Sequence, residues 1–302
     1  MPTNELLAEL DRLRRERNAV ILAHNYQNPE VQDIADYHGD SLGLSRQAAA
    51  TEADVIVFCG VHFMAQTAKI LSPDKLVLLP DLGAGCPMAD MIGPEELRAF
   101  KAEHPGAPVV AYVNTTAEVK AEVDICCTSA NAVQVVRSLP DSKLLFVPDQ
   151  YLSHWVAQQV PEKEIISYGG FCPTHVRIDP KSVLAAKEAH PDAEVIGHPE
   201  CPPDLLALCD AVKSTSGMIS YARESAATEF IIVTECGMVH RLEQDVPGKI
   251  FHGLPEIVCP NMKRTTLEKV VAALRELKHQ IEIPEDVRVR ALRAVQRMVA
   301  IG

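Results

Sequence analysis

Three of the chain's four Cys-Pro dipeptides, Cys86-Pro87, Cys172-Pro173 and Cys259-Pro260, stand 172 − 86 = 86 and 259 − 172 = 87 residues apart. Spacing this even predicts one structural unit used three times, each placing a thiol at an equivalent point. The register extends beyond the cysteines. The first predicted strand of each unit ends in a polar residue, His24, Tyr112 or His198. A hydroxyl follows 17 residues later, at Ser41, Ser129 and Thr215, since 41 − 24, 129 − 112 and 215 − 198 are equal. Tyr112 also lies 26 residues past Cys86, as His198 does past Cys172. Units of about 85 residues are small α/β domains and not the short repeats of a solenoid.

Within each unit, short apolar runs alternate with helical stretches. Val20–Ala23, Asp54–Cys59 and Lys75–Leu79 read as strands of the first unit, and Val109–Tyr112, Lys143–Val147 and Ile165–Tyr168 as strands of the second. Glu194–Ile196, Phe230–Val233 and Lys249–Phe251 complete the third. Continuous apolar strands separated by helices predict parallel sheets covered on both faces. Helices are expected over Thr3–Arg17, from Asn28-Pro29 with Asn28 as cap, and over Leu42–Thr51, Glu95–Glu103, Ser129–Arg137, Ser153–Gln159, Ser182–Glu188 and Gly217–Arg223. Thr265 with Glu268 reads as a capping box, and a last helix starts near Pro284. Both terminal helices are expected to pack back on the first unit. The domains are then residues 1–85 plus 261–302, 86–171 and 172–260. Ligands of open α/β sheets bind beyond the carboxyl ends of the strands, where these polar residues and thiols lie. Three such mouths around one axis predict a composite site.

The charged, helix-like stretch Met1–Asn18 and the absence of a long apolar run predict a cytoplasmic protein that does not enter a membrane. Nine cysteines in a reducing compartment point to metal-binding or catalytic thiols plus buried spectators, and an odd number does not suit a disulfide framework. The Asn114-Thr115-Thr116 sequon is accordingly read as a coincidence. A net charge of −12 without a basic run argues against nucleic acid as a partner.

Three thiolates leave one ligand position open, which suits a catalytic metal or an iron–sulfur cluster with one open iron; zinc on three cysteines plus His175 is the alternative. Ser41, Ser129 and Thr215 read as helix N-caps whose helices also offer backbone N–H groups to anions. Three helix N-termini at one cavity predict a substrate with more than one negative group. His24, Tyr26, Tyr112, Asn114, His198 and Glu200 supply donors and proton carriers at strand ends, with Glu200 the candidate general base and Tyr26 its acid or base partner. Cys59, Cys126, Cys127, Cys201, Cys209 and Cys236 share no register and read mainly as buried hydrophobes. Walker, HExxH, GxGxxG and Cys-x3-Cys-x2-Cys patterns are absent.

His24-Asn25-Tyr26-Gln27, Gly39-Asp40-Ser41, Gly85-Cys86-Pro87-Met88-Ala89, Tyr112-Val113-Asn114, His198-Pro199-Glu200-Cys201, Ser214-Thr215-Ser216-Gly217-Met218 and Thr234-Glu235 resemble the motifs of the quinolinate synthases across essentially the whole chain. The resemblance implies an α/β fold of three similar three-layer αβα domains around a pseudo-threefold axis. It implies a [4Fe-4S] cluster on Cys86, Cys172 and Cys259, whose fourth iron acts as a Lewis acid. The implied reaction condenses iminoaspartate, supplied by an iminoaspartate-producing enzyme, with dihydroxyacetone phosphate to give quinolinate for NAD biosynthesis, losing phosphate and two waters. Ser41, Ser129, Thr215, His24, Tyr112, Asn114 and His198 would hold the anionic groups, and Tyr26, Glu200 and His198 would serve catalysis. Longer members carry Cys-x2-Cys-x2-Cys near the C-terminus, whereas Cys259 is followed by Pro260-Asn261-Met262-Lys263-Arg264-Thr265. The chain thus resembles the short form, without neighbouring thiols for a redox switch there. Two competing readings are another hydro-lyase with an open-iron cluster, which leaves the motifs unexplained, and an iron–sulfur sensor or carrier, which has no use for anion pockets.

Overall fold

The computed structural model describes residues 3–301, so Met1, Pro2 and Gly302, at the two ends of the first expected domain, lie outside the described residues. It contains twelve strands among them: β1 (Ala19–His24), β2 (Tyr37–Gly39), β3 (Val55–Cys59), β4 (Leu76–Leu78), β5 (Val109–Tyr112), β6 (Ile125–Cys127), β7 (Lys143–Val147), β8 (Glu164–Ser167), β9 (Glu194–Gly197), β10 (Ala211–Val212), β11 (Glu229–Val233) and β12 (Ile250–Gly253). They form three four-stranded sheets of orders β2-β1-β3-β4, β6-β5-β7-β8 and β10-β9-β11-β12. Every pairing within these sheets is parallel. Numbered within its own unit, each sheet has the same order, 2-1-3-4. The expected α/β class with three like units is therefore the observed one.

Alternation along the strands shows why both faces are covered. Val20 and Leu22 of β1, with Ile56 and Phe58 of β3, join a large apolar cluster that extends through all three units. Ile21 and Ala23, with Val55, Val57 and Cys59, point the other way into a cluster with Leu6, Leu10 and Leu13 of the helix Thr3–Glu16 and with Val270, Val271 and Leu274. The third unit repeats this: Phe230 and Ile232 face the shared cluster, and Ile231 and Val233 a separate one. Side chains two apart share a face, so strands apolar at every position need helices on both sides.

Two further repeat positions emerge. Twelve residues after each strand-end polar group stands an aspartate, Asp36, Asp124 or Asp210, whose Oδ2 accepts the N–H of Ile21, Val109 or Val195 on the unit's first strand at 2.7–2.8 Å. Fifty-one residues after it stands a lysine, Lys75, Lys163 or Lys249, whose ammonium donates to carbonyls such as Ala53, Asp141 and Ser225 O at 2.6–2.9 Å.

Several expected boundaries shift. Asp40, not Ser41, caps the helix Ser41–Ala50, its Oδ1 accepting the Gly43 N–H at 2.8 Å. Ser214, not Thr215, caps Thr215–Glu224 in the same way. The helix expected from Ser129 begins at Ala132, because Asn131 Oδ1 closes a turn on the Thr128 N–H at 2.8 Å and leaves Ser129 in that turn. Asn28 does not cap its helix; its amide donates to Lys263 O and Thr265 O at 3.3 and 2.8 Å. The cap of the helix Leu267–Glu276 is Thr266, with Thr265 fully buried beside it. That helix packs on the first unit, but the last helix, Glu285–Val299, lies against β6 and the short helix Ala117–Lys120 of the second unit as well as His62–Leu71 of the first. The edge strands β2, β6 and β10, two or three residues each, carry too little pattern to be read in advance, and the helix Gly237–Asp245 was also missed.

Candidate active site

The three sheets direct their first strands into one cavity of about 870 Å³, the open solvent at its mouth included. His24 ends β1, Tyr112 ends β5 and His198 follows β9, and all three line it. So do Ser41, Ser129 and Thr215, the thiols of Cys86, Cys172 and Cys259, and Tyr26, Asn114 and Glu200. All twelve residues singled out from the sequence thus meet in one place. The corrected capping matters here: Asp40 and Ser214 satisfy the helix N–H groups, so Ser41 and Thr215 keep their hydroxyls on the cavity side. Thr215 Oγ1 accepts from Asn25 Nδ2 at 2.9 Å, tying the third unit to the first.

A chain of hydrogen bonds crosses the floor. Tyr26 Oη lies 2.5 Å from Thr234 Oγ1, which lies 2.8 Å from His175 Nε2. His175 Nδ1 is 2.9 Å from Glu200 Oε2 and 3.2 Å from Cys172 Sγ. Tyr112 Oη donates to Glu200 Oε1 at 2.5 Å. The partners select one consistent arrangement, in which Nδ1–H faces Glu200, Nε2 accepts from Thr234, and Thr234 accepts from Tyr26. His198 stacks on His175 with ring centroids 4.9 Å apart, and Tyr26 meets the edge of His24 at 4.8 Å.

Burial sets the protonation of this floor. It lowers His24 to about 4 and His198 to about 3, so both are neutral near pH 7 and act through single donor and acceptor nitrogens. Burial, reinforced by the Glu200 charge, pushes the phenols of Tyr26 and Tyr112 well up, so both keep their protons. Burial also opposes the charge on Glu200, but neighbouring His175 and His198 and the hydrogen bonds from His175 and Tyr112 outweigh it and hold the carboxyl well below its usual range. The result is a buried carboxylate that accepts one phenol donor, from Tyr112, and lies beside the imidazole of His175.

The thiols share an environment. Burial raises Cys86 to about 12, raises Cys172 well above the usual thiol value and raises Cys259 less. Each sulfur nevertheless accepts backbone N–H groups just ahead of it: Cys86 from Met88 and Ala89, Cys172 from His175, and Cys259 from Asn261 and Met262. Such N–H···S contacts favour thiolate over thiol, and a soft cation would reverse the effect of burial. Cys172, His175 and Glu200 also place ligand atoms within 4.8 Å of one another, a set that shares only Cys172 and His175 with the zinc alternative of three cysteines and His175.

The cavity lining contains one Lys or Arg among the described residues, Arg177, and the rest of its donors are hydroxyls, imidazoles and side-chain amides. The Asn114 side-chain oxygen is buried without a partner among the described residues. Sequence reasoning missed the relay role of Thr234 and His175 and the part played by Glu235. Buried Glu235 accepts the Cys259 N–H at 3.2 Å and pairs with Lys263 at 2.9 Å, and Lys263 donates to Tyr26 O at 2.7 Å. Thr234-Glu235 stands among the motifs of the resemblance, but its partners lie 24 to 208 residues away.

A family model described as "NadA: Quinolinate synthetase A protein" matches residues 8–300. The chain is 55% identical over 299 residues to the quinolinate synthase of Thermodesulfovibrio yellowstonii, covering 99% of both chains. It is 56% identical over 302 residues to the quinolinate synthase of Desulforudis audaxviator, with 99% of each covered. It is 53% identical over 302 residues to quinolinate synthase 1 of Methanosarcina acetivorans, covering 100% of this chain and 99% of that one.

Proposed function

Because the chain belongs to the quinolinate synthase family, we propose that it condenses iminoaspartate with dihydroxyacetone phosphate to quinolinate, releasing phosphate and two waters. The observation that carries this reading is the meeting, in one cavity, of three thiols from the loops that follow the three sheets with a hydrogen-bonded proton-transfer chain and a set of neutral donors.

Cys86, Cys172 and Cys259 fit a [4Fe-4S] cluster: they are soft donors, they line one cavity, and each accepts N–H groups of the kind that stabilise cluster sulfurs. When bound, the cluster would supply a Lewis-acidic iron with an open position. The chain's own residues do the remainder. Ser41, Ser129 and Thr215 hold carboxylate and phosphate oxygens through their hydroxyls. Asn114 receives a substrate N–H or O–H on its unpaired oxygen, and neutral His24 and His198 each present one donor. Tyr26 takes a proton from the reacting molecule at Oη while its own passes through Thr234 to His175 Nε2, making His175 an imidazolium paired with Glu200; in reverse, the imidazolium returns that proton through Thr234 and Tyr26 gives one to the reacting molecule. Glu200, kept ionised and bridging Tyr112 and His175, steadies that charge and is the candidate base for removing a substrate proton.

The reading includes the domain division at 85/86, 171/172 and 260/261, supply of iminoaspartate by the enzyme that produces it, and a reducing cytoplasmic location consistent with nine free thiols. Among the described residues no helix is long and apolar enough to cross a membrane. Anaerobic reconstitution followed by addition of both substrates tests the proposal. Quinolinate should appear in step with cluster loading, and its absence from fully loaded protein overturns the reading.

A further inference from the structure

Outside the cavity, His190, Glu229 and His252 bring three ligand atoms within 4.8 Å of one another on the third unit. His190 Nδ1 lies 2.9 Å and His252 Nε2 2.6 Å from the same carboxylate oxygen, Glu229 Oε1. The two imidazoles stack with centroids 3.5 Å apart and planes 17° apart.

The fold holds the three together. Glu229 opens β11, and His252 lies on β12 opposite Ile231. Residues 229 and 231 point to one face, so Glu229 and His252 are diagonal neighbours on it. Ile231 packs there against Val183 of the helix Pro180–Ala189, and His190 is the residue that ends that helix. Two adjacent strands and a helix terminus therefore each contribute one ligand. All three side chains are partly exposed, at 25 to 33%, so an ion can reach them.

We infer that His190, Glu229 and His252 bind one divalent transition-metal ion of the zinc type, at a site separate from the cavity. Two imidazole nitrogens and one carboxylate form a borderline donor set that suits zinc and its neighbours, whereas magnesium and calcium take oxygen ligands. The ion displaces any protons held at Nδ1 of His190 and Nε2 of His252 and takes both lone pairs together with a carboxylate oxygen. Solvent completes the coordination on the exposed side. Glu229 is five residues before Thr234 along the strand, about 16 Å, so the ion touches neither substrate nor thiols. Its effect is to tie the end of the helix Pro180–Ala189 to β11 and β12, raising the unfolding temperature of the third unit.

Zinc ions alone, titrated into chelator-washed, cluster-loaded protein against a chromophoric competitor, test the site. Wild type should take up one zinc per chain beyond its iron, and X-ray absorption at the zinc edge should show nitrogen and oxygen ligands only. Glu229→Gln and His252→Ala should each weaken binding by more than about tenfold with iron content unchanged. Failure of wild type to bind zinc overturns the inference. So does sulfur in the zinc shell, or wild-type affinity in both variants, which would put the metal elsewhere on the chain.

Discussion

Tyr26 holds its proton at the cavity end of a relay whose far end is anchored by a buried carboxylate. Tyr26→Phe removes one oxygen and leaves Thr234, His175 and Glu200 bonded to one another. Turnover should fall by about 10² to 10⁴, while iron content and the thermal transition stay at wild-type values. Unchanged turnover would take Tyr26 out of the mechanism. Lys120 offers a second test, of stability alone. Its side chain is fully buried, lies 5.5 Å from the Phe63 ring centroid and donates to Thr115 O, and burial lowers the ammonium to about 8. Below pH 8 the folded and unfolded chains both carry this proton, and the full cost of burying the charge is felt. Between pH 8 and the unfolded value of about 10.4, the unfolded chain holds more protons, so this group's contribution to stability rises with pH. Relative to Lys120→Met, wild type should gain about 3 kcal/mol across that window. Denaturant unfolding at pH 7.5 and 10.5 measures it, and a gap that does not move would contradict the lowered ammonium.

Among the elements, the helix Leu267–Glu276 separates a cap from its imitation. Thr266 Oγ1 accepts the Lys269 N–H at 3.4 Å, whereas Thr265 Oγ1 is buried with no partner. Thr266→Ala should cost about 1 kcal/mol. Thr265→Val, nearly the same shape without the unpaired hydroxyl, should be neutral or stabilising. Chemical denaturation of both variants checks the order, and the reverse order would restore the cap to Thr265. The same one-residue shift recurs at Asp40/Ser41 and Ser214/Thr215. Two adjacent residues that can both cap look alike in a sequence; the backbone path entering the helix decides which side chain reaches the third N–H. Strands were legible where apolar runs reached four or five residues. Edge strands such as β10, two residues long, exist only because a neighbour offers hydrogen bonds.

For the molecule as a whole, the proposed cluster makes the three units interdependent. One sulfur follows the last strand of each sheet, Cys86 after β4, Cys172 after β8 and Cys259 after β12, and each is supported by backbone N–H groups of its own loop. Cys86→Ala, Cys172→Ala and Cys259→Ala should therefore each abolish the brown absorbance to the same extent, although each follows a different sheet. Full iron retention in any one of the three would refute the three-thiol site. Cys201→Ala and Cys236→Ala should keep their iron, since neither lines the cavity. Lys263 adds a tie of the same kind between units, joining Glu235 beside Cys259 to the backbone of Tyr26.

The sequence by itself determined the threefold plan, the parallel α/β class, the three equivalent thiols and the twelve residues that meet in the cavity. Each of these follows from local patterning or from a register repeated along the chain. Aspartates at offset 12 and lysines at offset 51 were there to be read by the same means. Only the tertiary structure decided that Tyr26, Thr234, His175 and Glu200 form one hydrogen-bonded chain, that Glu235 and Lys263 pin the Cys259 loop, and that the last helix bridges two units. Those contacts join residues far apart in the chain and break the threefold register. Which side chain answers which across an interface depends on how like units pack against one another, and no spacing within a unit encodes that.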